Sequence, residues 1–200
     1  MLWRRVLTAL ATGVLMCGAA SLAQAQSASP KAAKSAAKPD AAKPSAAMTG
    51  GAEPTLIGQF GTWGAYTATP NGKKVCFALA KPSSSKTNPP NRPRDPAYAF
   101  VSTRPAEKVA NEVSVMIGYT LKPGSESLLE VGGASYSMYT QGDGLWIKNA
   151  AEEERMVEAM RKSADATVKG VSAKGTETTD TFSLKGLSQA LDKIAQDCRR

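Results

Sequence analysis

KGTETTDTFSLKGLSQALDKIAQDC, residues 174–198, places a strand, a turn and a helix in direct succession. Its first part is rich in Thr and contains Phe182, residue types that favour strands. Residues 167–175 and 176–184 therefore predict two antiparallel strands that turn near Lys174–Gly175. This hairpin, followed by a helix, is the most specific local pattern in the chain.

The second part of the stretch predicts a helix over residues 186–198. Leu187, Leu191 and Ile194 recur at helical spacing and define one apolar side. Ser188 is the expected N-cap, because its hydroxyl can accept a hydrogen bond from the first turn. The helix ends in Cys198, which raises the question of a partner for this thiol.

Cys76 is the candidate partner of Cys198. A third cysteine, Cys17, lies in a segment that we expect to be removed on export. Two cysteines in an oxidising compartment most simply form a disulfide bond, with two free buried thiols as the alternative. The bond would tie the last helix to an apolar strand around Cys76.

Residues 54–200 are predicted to form one mainly β domain. The segment 60–80 is typical of a hairpin, because Asn71–Gly72 is a turn signal, and Phe60 and Trp63 are expected core residues. A helix over 149–163 begins with acidic and ends with basic residues. Further extended segments are 56–68, 75–80, 97–103, 112–121, 128–131, 135–140 and 144–147. About eight strands and two short helices in the C-terminal half predict an antiparallel β-sandwich or curled sheet.

Residues 81–96 contain prolines at five positions, 82, 89, 90, 93 and 96. Proline lacks a backbone donor, so we expect a polar loop through which no strand runs. Loops on rigid sheets often carry recognition, and Arg and Tyr are common in interfaces. The candidate partner-binding residues are therefore Lys86, Arg92, Arg94, Arg104 and Tyr139. The alternative is that the basic side chains are simply solvated and that the tyrosine faces the core.

The amino-terminal part carries two further predicted segments. Residues 1–25 resemble an export signal, with Arg4 and Arg5 before an apolar run and Ala23-Gln24-Ala25 as the cleavage motif. Residues 26–53 are rich in Ala, Lys and Pro and predict a disordered linker. The chain has a net charge of +8, and residues 26–52 carry +3, which is half of the charge that remains once residues 1–25 are removed. In a periplasmic setting a basic protein meets anionic envelope surfaces rather than nucleic acid.

Composition also limits the chemistry, because the chain contains no histidine. Catalysis by Ser-His-Asp or Cys-His groups and zinc sites with His ligands are excluded. Ser83-x-x-Lys86 has the spacing of penicillin-binding enzymes but lies in the proline-rich segment. Glu152–Glu154 is interpreted as the solvated first turn of a helix rather than a cation site. We expect no catalytic residues, no metal and no cofactor.

The stretch 60–200 resembles the invasion-associated locus B family of exported alphaproteobacterial proteins. The residues that carry the resemblance are Phe60-Gly61-x-Trp63, Cys76, Ile117-Gly118-Tyr119, Trp146, Met156-Val157-x-Ala159-Met160 and the stretch 174–198. The resemblance implies a β-rich periplasmic or envelope-associated protein, linked in some pathogens to host-cell invasion. It implies no catalytic residues. The basic linker and the proline-rich segment 81–96 depart from the family pattern.

These observations favour an exported, non-enzymatic binding protein of the periplasm or outer envelope. Its partner is expected to be a protein or an anionic envelope surface, with peripheral membrane contact and without nucleic acid; the oligomeric state stays open. One alternative is an envelope enzyme that uses carboxylates such as Asp143 or Asp180. Another is a structural or chaperone-like subunit of an envelope assembly.

Overall fold

Residues 50–199 are described by a computed structural model, and they form eleven β-strands and two α-helices. The strands are β1 Thr55–Phe60, β2 Trp63–Ala68, β3 Val75–Ala80, β4 Ser84–Asn88, β5 Tyr98–Arg104, β6 Val109–Met116, β7 Ser127–Val131, β8 Ala134–Gln141, β9 Gly144–Trp146, β10 Asp165–Val171 and β11 Glu177–Ser183. The helices are α1 Ala150–Lys162 and α2 Leu187–Cys198. Short 3₁₀ turns occupy Pro70–Gly72 and Pro105–Glu107.

The strands form one antiparallel sheet in the order β1-β2-β3-β5-β6-β9-β8-β7-β10-β11-β4. Both halves of this sheet contribute to a single core: Ala78 and Val101 from one half join Leu129 and Phe182 from the other. Because one face of the sheet encloses a continuous core, the sheet must curl. The predicted class, a mainly β curled antiparallel sheet with two C-terminal helices, is confirmed.

The helices cover the core on the concave side of the sheet. Helix α2 packs on β1, β2, β3 and β5, while α1 packs against β6 and β7. Their buried residues are the apolar stripes seen in the sequence: Met156, Val157 and Met160 in α1, and Leu187, Leu191 and Ile194 in α2. Burial of these stripes gives both helices most of their stability.

Both predicted hairpins are present. Strands β2 and β3 pair around a turn in which Asn71 has a positive φ of 50°. Strands β10 and β11 pair from Asp165↔Ser183 to Val171↔Glu177, and the Gly175 amide donates to Ser172 O across the turn. These turns form as expected because Asn and Gly accept left-handed backbone conformations at little cost.

The extended segment 56–68 is divided into β1 and β2 by a tight turn at Gly61. Gly61 has a φ of 57°, and a Cβ atom there would lie 2.5 Å from Lys185 O. Trp63 follows, fully buried, and its Nε1 donates to Ser183 O at 2.9 Å. Phe60 is partly buried against the same core. The turn therefore joins the start of β2 to the end of β11.

The prediction that no strand runs through residues 81–96 is wrong. Strand β4, Ser84–Asn88, pairs with β11 from Ser84↔Thr181 to Asn88↔Glu177. Its window contains no proline, since Pro82 precedes it and Pro89 follows it. Proline is tolerated next to an edge strand, and β4 lies at one end of the strand order.

The predicted disulfide is present and joins Cys76 in β3 to Cys198 at the end of α2. The two residues are 122 positions apart in sequence, with Cα atoms 6.1 Å apart. Both are buried in the core. The bond anchors the last helix to β3, the apolar strand around Cys76, as the sequence predicted.

The predicted N-cap of α2 is wrong. Gly186, with a φ of 93°, occupies the cap, and Ser188 lies in the first turn, where its Oγ donates to Arg161 O at 3.3 Å. A Cβ atom at Gly186 would lie 2.1 Å from Phe60 O, so the chain enters α2 through a residue without a side chain. Helix α1 instead has a side-chain cap: Asn149 Oδ1 accepts from the Ala151 and Glu152 amides.

Two predicted segments, the export signal 1–25 and most of the linker 26–53, lie outside the described residues. Within residues 50–199, neither helix has the length and apolar character needed to cross a membrane.

Candidate functional site

A large cavity lies on the face of the sheet opposite the main core. It has a volume of about 900 Å³ and extends over β3, β5 and β6. Alternation along the strands separates the two faces: Ala99, Val101 and Thr103 of β5 lie on one side, and Tyr98, Phe100, Ser102 and Arg104 lie on the other. The second set lines the cavity.

Phe77, Phe100 and Tyr98 form the floor of this cavity, which we call the aromatic groove. The rings of Tyr66 and Phe77 stack with centroids 5.4 Å apart, Phe77 and Phe100 follow at 5.9 Å, and Phe100 and Tyr98 at 6.4 Å. Val75 and Met116 are partly buried against the same cluster. Tyr98 is partly exposed, whereas Tyr66, Phe77 and Phe100 are buried. A cavity of this size with an apolar wall is typical of a ligand or partner site.

One end of the aromatic groove carries a closed ion-pair network. Arg104 Nε donates to Glu107 at 2.6 Å, and its two terminal nitrogens donate to the carboxylate of Glu112 at 2.9 and 3.0 Å. The hydrogen bond with Glu112 is the main cause that raises the pKa of Arg104. Since the guanidinium is engaged on both sides, it is fixed in place at this end.

The other end of the aromatic groove carries Asp95 and Asp143. Within residues 50–199, neither carboxylate forms an ion pair with a basic side chain. Their backbones are held by the turn after β6: Asp95 N donates to Gly118 O at 3.0 Å, and Ile117 N donates to Asp143 O at 2.9 Å. This end therefore presents two positioned, uncompensated negative charges beside the aromatic floor.

Gly118 makes the acidic end possible. Its φ is 78°, and a Cβ atom there would lie 2.1 Å from Asp95 O. A residue with a side chain would have to push the segment 95–96 away from the end of β6. The glycine thus brings residues at the end of the proline-rich segment into the groove wall.

A second cavity, of about 470 Å³, lies on the other side of the proline-rich segment. We call it the basic pocket; its cationic residues are Arg92, Arg94 and Lys174. Hydroxyl groups complete much of its wall, from Thr87, Tyr119, Thr120, Thr176 and Thr178. The segment 92–96 therefore borders both cavities, with Arg92 and Arg94 on one and Asp95 on the other.

Arg94 is held by a buried carboxylate. Its Nη1 donates to Asp180 Oδ2 at 2.8 Å and to Ile117 O at 3.0 Å, and its Nη2 donates to Asp180 Oδ1. The Asp180 side chain is fully buried, and that of Arg94 is 11% exposed. Asp180 is thus committed to an ion pair, which leaves it poorly suited to the catalytic role considered for the carboxylate-enzyme alternative.

The five candidate partner-binding residues do not form one surface. Arg92 and Arg94 line the basic pocket, whereas Arg104 lines the aromatic groove and is engaged by two glutamates. Lys86 is exposed in β4, where it pairs across the strands with Thr179. Tyr139 stacks on Trp146 at 5.9 Å, with Lys148 Nζ 5.6 Å from its ring centroid.

The aromatic floor escaped the sequence analysis, although a signal was present. In β3, Phe77 and Leu79 alternate with Cys76, Ala78 and Ala80, so both faces are apolar, and the larger side chains point away from the disulfide. From sequence the run is only a short apolar strand, because alternation alone cannot show whether its second face is covered.

Two other sequence patterns have structural explanations. Glu153 is more than a solvated residue of the first turn of α1: its Oε1 accepts from Val113 N at 2.7 Å and links the helix to β6. Ser83 directly precedes β4 and Lys86 lies within it, so the Ser83-x-x-Lys86 pattern is not at the start of a helix. In the part of the chain that the structure describes, no group of three acidic, Cys or His side chains is placed to hold a metal ion.

Comparison with known proteins gives a family match. A protein-family model described as Invasion associated locus B (IalB) protein matches residues 63–195. No curated protein and no solved structure matches the chain. Apart from Gly50, the matched range contains every residue that lines either cavity.

Proposed function

The chain belongs to the invasion associated locus B family, and from this premise we propose that it is an exported, envelope-associated protein that binds a protein partner without catalysing a reaction. Binding takes place in the aromatic groove. The partner contributes an extended segment with apolar side chains and at least one Lys or Arg. In pathogenic relatives of such a protein, this partner could belong to a host cell.

The observation that carries this proposal is the pairing of an aromatic floor with two uncompensated carboxylates. Tyr98 and Phe100 offer apolar contact, while Asp95 and Asp143 lie at one end without an ion pair among the described residues. Lys81 Nζ lies 5.9 Å from the Tyr98 ring centroid, and Lys73 also lines the cavity. A partner that covered the floor alone would leave these acids facing an apolar surface, which is costly. A basic residue next to apolar ones satisfies both features.

The dimensions of the groove favour a chain-like partner. Tyr98 and Arg104 mark the two ends of β5 and are six residues apart, which corresponds to about 20 Å at the rise of an extended strand. A peptide of about six extended residues would span this length. The closed Arg104 network at the far end provides a rigid stop.

A non-enzymatic role is supported by the chemistry of the chain. Histidine, the commonest general base, is absent from the sequence, and Asp180 is occupied by Arg94. A structural or chaperone-like subunit would expose a contiguous apolar patch. Among the described residues, the exposed large apolar side chains are Leu56 and Leu128, so this alternative has less support. Recognition in a groove accounts for the geometry better than either alternative.

The groove is tested with two short peptides that differ only in charge, KLFLK and ELFLE. We expect the basic peptide to bind and to shift the NMR signals of Tyr98, Phe100 and Met116. Asp95→Asn with Asp143→Asn should weaken its binding about tenfold, since two charge-assisted contacts are lost. Asp165→Asn, an exposed acid in β10, is the matched control. Equal binding of both peptides, or shifts outside the groove, would contradict the proposal.

The partner itself is sought with a photoreactive amino acid in intact cells. Placed at Tyr98, it should capture a protein that the same label at Leu128, an exposed position in β7, does not capture. Competition by the KLFLK peptide distinguishes groove binding from chance proximity. Capture at both positions alike would count against the groove.

Envelope association has its own test. Deletion of residues 26–49 removes Lys31, Lys34, Lys38 and Lys43 and leaves the described residues intact. We expect the deleted protein to leave the membrane fraction more readily than the full protein, most clearly at low salt, because exposed charges are screened as salt rises. Identical fractionation of the two proteins at every salt concentration would show that residues 26–49 do not contribute to envelope association.

A further inference from the structure

The basic pocket has the composition of an anion site that is separate from the aromatic groove. No carboxylate lines it, whereas three cationic side chains do. Within residues 50–199, Arg92 and Lys174 have no acidic partner, and the one acid that contacts this wall, Asp180, is paired with Arg94. We propose that the basic pocket binds a phosphate group that carries a sugar- or glycerol-sized substituent.

Hydrogen-bond donors remain available on the wall of the pocket. The guanidinium of Arg94 has five N–H groups, and three of them are used by Asp180 and Ile117. Two therefore stay free. Because the used donors hold the guanidinium plane in place, a ligand would find the remaining ones already oriented.

The hydroxyl groups add a further donor. Tyr119 and Thr178 share one hydrogen bond, with their oxygens 2.7 Å apart, so one of their two hydroxyl hydrogens is left over. Burial raises the pKa of Tyr119, which keeps its hydroxyl protonated at physiological pH. On this side of the pocket an anion can therefore accept hydrogen bonds, which phosphate oxygens require.

The pocket wall is built rather than accidental. Arg92 N donates to Thr87 Oγ1 at 3.2 Å, which anchors the proline-rich segment to β4. On the opposite side, Thr176 N donates to Ser172 Oγ at 3.0 Å, which shapes the β10–β11 turn that carries Lys174. The backbone beside each of the two unpaired cations is thus held by a hydrogen bond, and both residues line one cavity.

The volume of the basic pocket limits the size of the ligand. A cavity of about 470 Å³ falls in the range of small-molecule sites and is larger than a bare phosphate ion needs. Phosphate esters of a sugar or of glycerol share the required chemistry, and they occur both as free metabolites and as lipid headgroups. The cationic side chains of the pocket would bind the phosphate, and the hydroxyl groups of its wall would form hydrogen bonds with the substituent.

The test uses the protein with residues 1–25 removed and compares wild type with two variants. Binding of glycerol 3-phosphate and of inorganic phosphate is measured by NMR titration at low salt, with acetate as the reference anion. Arg92→Ala with Lys174→Ala should weaken glycerol 3-phosphate binding about tenfold or more, with the largest shifts at Tyr119, Thr120 and Thr178. Lys86→Ala, which removes an exposed charge from the same segment, is the matched control, and thermal unfolding checks that each variant is folded.

Vesicles distinguish the two sources of the phosphate. Phosphatidylglycerol vesicles are compared with phosphatidylcholine vesicles for wild type and for the double variant. Binding of soluble glycerol 3-phosphate alone identifies a free ester, whereas vesicle binding that the double variant loses identifies a lipid headgroup. If phosphate, its ester and acetate bind alike, or if the double variant binds as well as wild type in both arms, the inference is overturned. Neither result depends on the groove peptides.

Discussion

Arg94 and Asp180 form a buried ion pair that joins the proline-rich segment to strand β11. The guanidinium reaches both carboxylate oxygens and also donates to Ile117 O at the end of β6. The segment between β4 and β5 is therefore attached at its centre, and its two sides form walls of different cavities. The placement of Asp95 in the aromatic groove and of Arg92 at the basic pocket depends on this attachment.

We predict that Arg94→Ala destabilises the fold by about 3–5 kcal/mol, because it leaves a buried carboxylate without its cation. Arg94→Leu combined with Asp180→Leu should be less destabilising than Arg94→Ala, since no unpaired charge remains. Urea denaturation measures both. Arg92→Ala, two residues away and exposed, is the control and should change stability by less than about 0.5 kcal/mol. An equal loss of stability in Arg92→Ala and Arg94→Ala would show that the ion pair makes no specific contribution to the stability of the fold.

Gly118 and Gly124 allow a matched comparison. Both have positive φ angles, 78° and 70°, but a Cβ atom at Gly118 would lie 2.1 Å from Asp95 O, whereas nothing lies within 4 Å of one at Gly124. Replacement by Ala should cost about 1–2 kcal/mol at Gly124, from the backbone conformation alone. Gly118→Ala should cost more and should also shift the NMR signals of Asp95 and Asp143. Similar losses of stability at both positions would contradict this prediction, because they would mean that the backbone at Asp95 moves away from the new Cβ atom at little cost.

Removal of the disulfide should lower stability by about 2–5 kcal/mol, since it releases a long loop in the unfolded chain. The test is Cys76→Ala with Cys198→Ala, compared with wild type by thermal unfolding under oxidising conditions. Reducing agent should destabilise wild type and leave the double variant unchanged. In a protein without residues 1–25, thiol labelling of the native state should detect no reactive cysteine, and two reactive thiols would refute the bond.

Glu153 gives a pH dependence whose sign can be stated. Burial is the main cause that raises its pKa, and the hydrogen bond from Val113 N partly opposes the shift. A carboxyl group with a raised pKa in the folded state destabilises the protein when it is charged, and this cost disappears as the pH falls through the raised pKa towards the unfolded value. Wild type should therefore gain stability relative to Glu153→Gln on acidification from pH 7.

The measurement is urea denaturation of both proteins at several pH values between about 7 and 4, a range that extends just below the ordinary glutamate pKa. Glu154→Gln, which removes an exposed carboxylate from the same helical turn, is the control. A stability difference between wild type and Glu153→Gln that stays constant, or that changes in favour of the variant on acidification, would contradict the assignment.

Local signals in the sequence were sufficient for several elements. Asn71–Gly72 and Lys174–Gly175 produced the two expected hairpins, because a positive φ at a turn is a property of the residue itself. The stripe of Leu187, Leu191 and Ile194 located α2. Its N-terminus was misplaced because Gly186 is required by the close approach of Phe60 O, which belongs to another part of the chain.

Strand β4 shows where local reasoning stops. Ser84–Asn88 has little strand character of its own, and it becomes a strand because β11 offers an unpaired edge. The same applies to the candidate site. Arg92 and Arg94 were selected as partner-binding residues, but only the fold shows that Arg94 is held by Asp180 while Arg92 remains unpaired among the described residues.

By itself, the sequence determined the class of the fold, the turns, the helices, the absence of histidine chemistry and the two cysteines that bond. These depend on residue type and on spacing within one element. The tertiary structure alone decided the strand order, the insertion of β4, the placement of the aromatic row on the face opposite the main core and the separation of the acidic groove end from the basic pocket. The physical reason is that alternation assigns side chains to a face of a strand, whereas contacts between residues distant in sequence decide what covers that face.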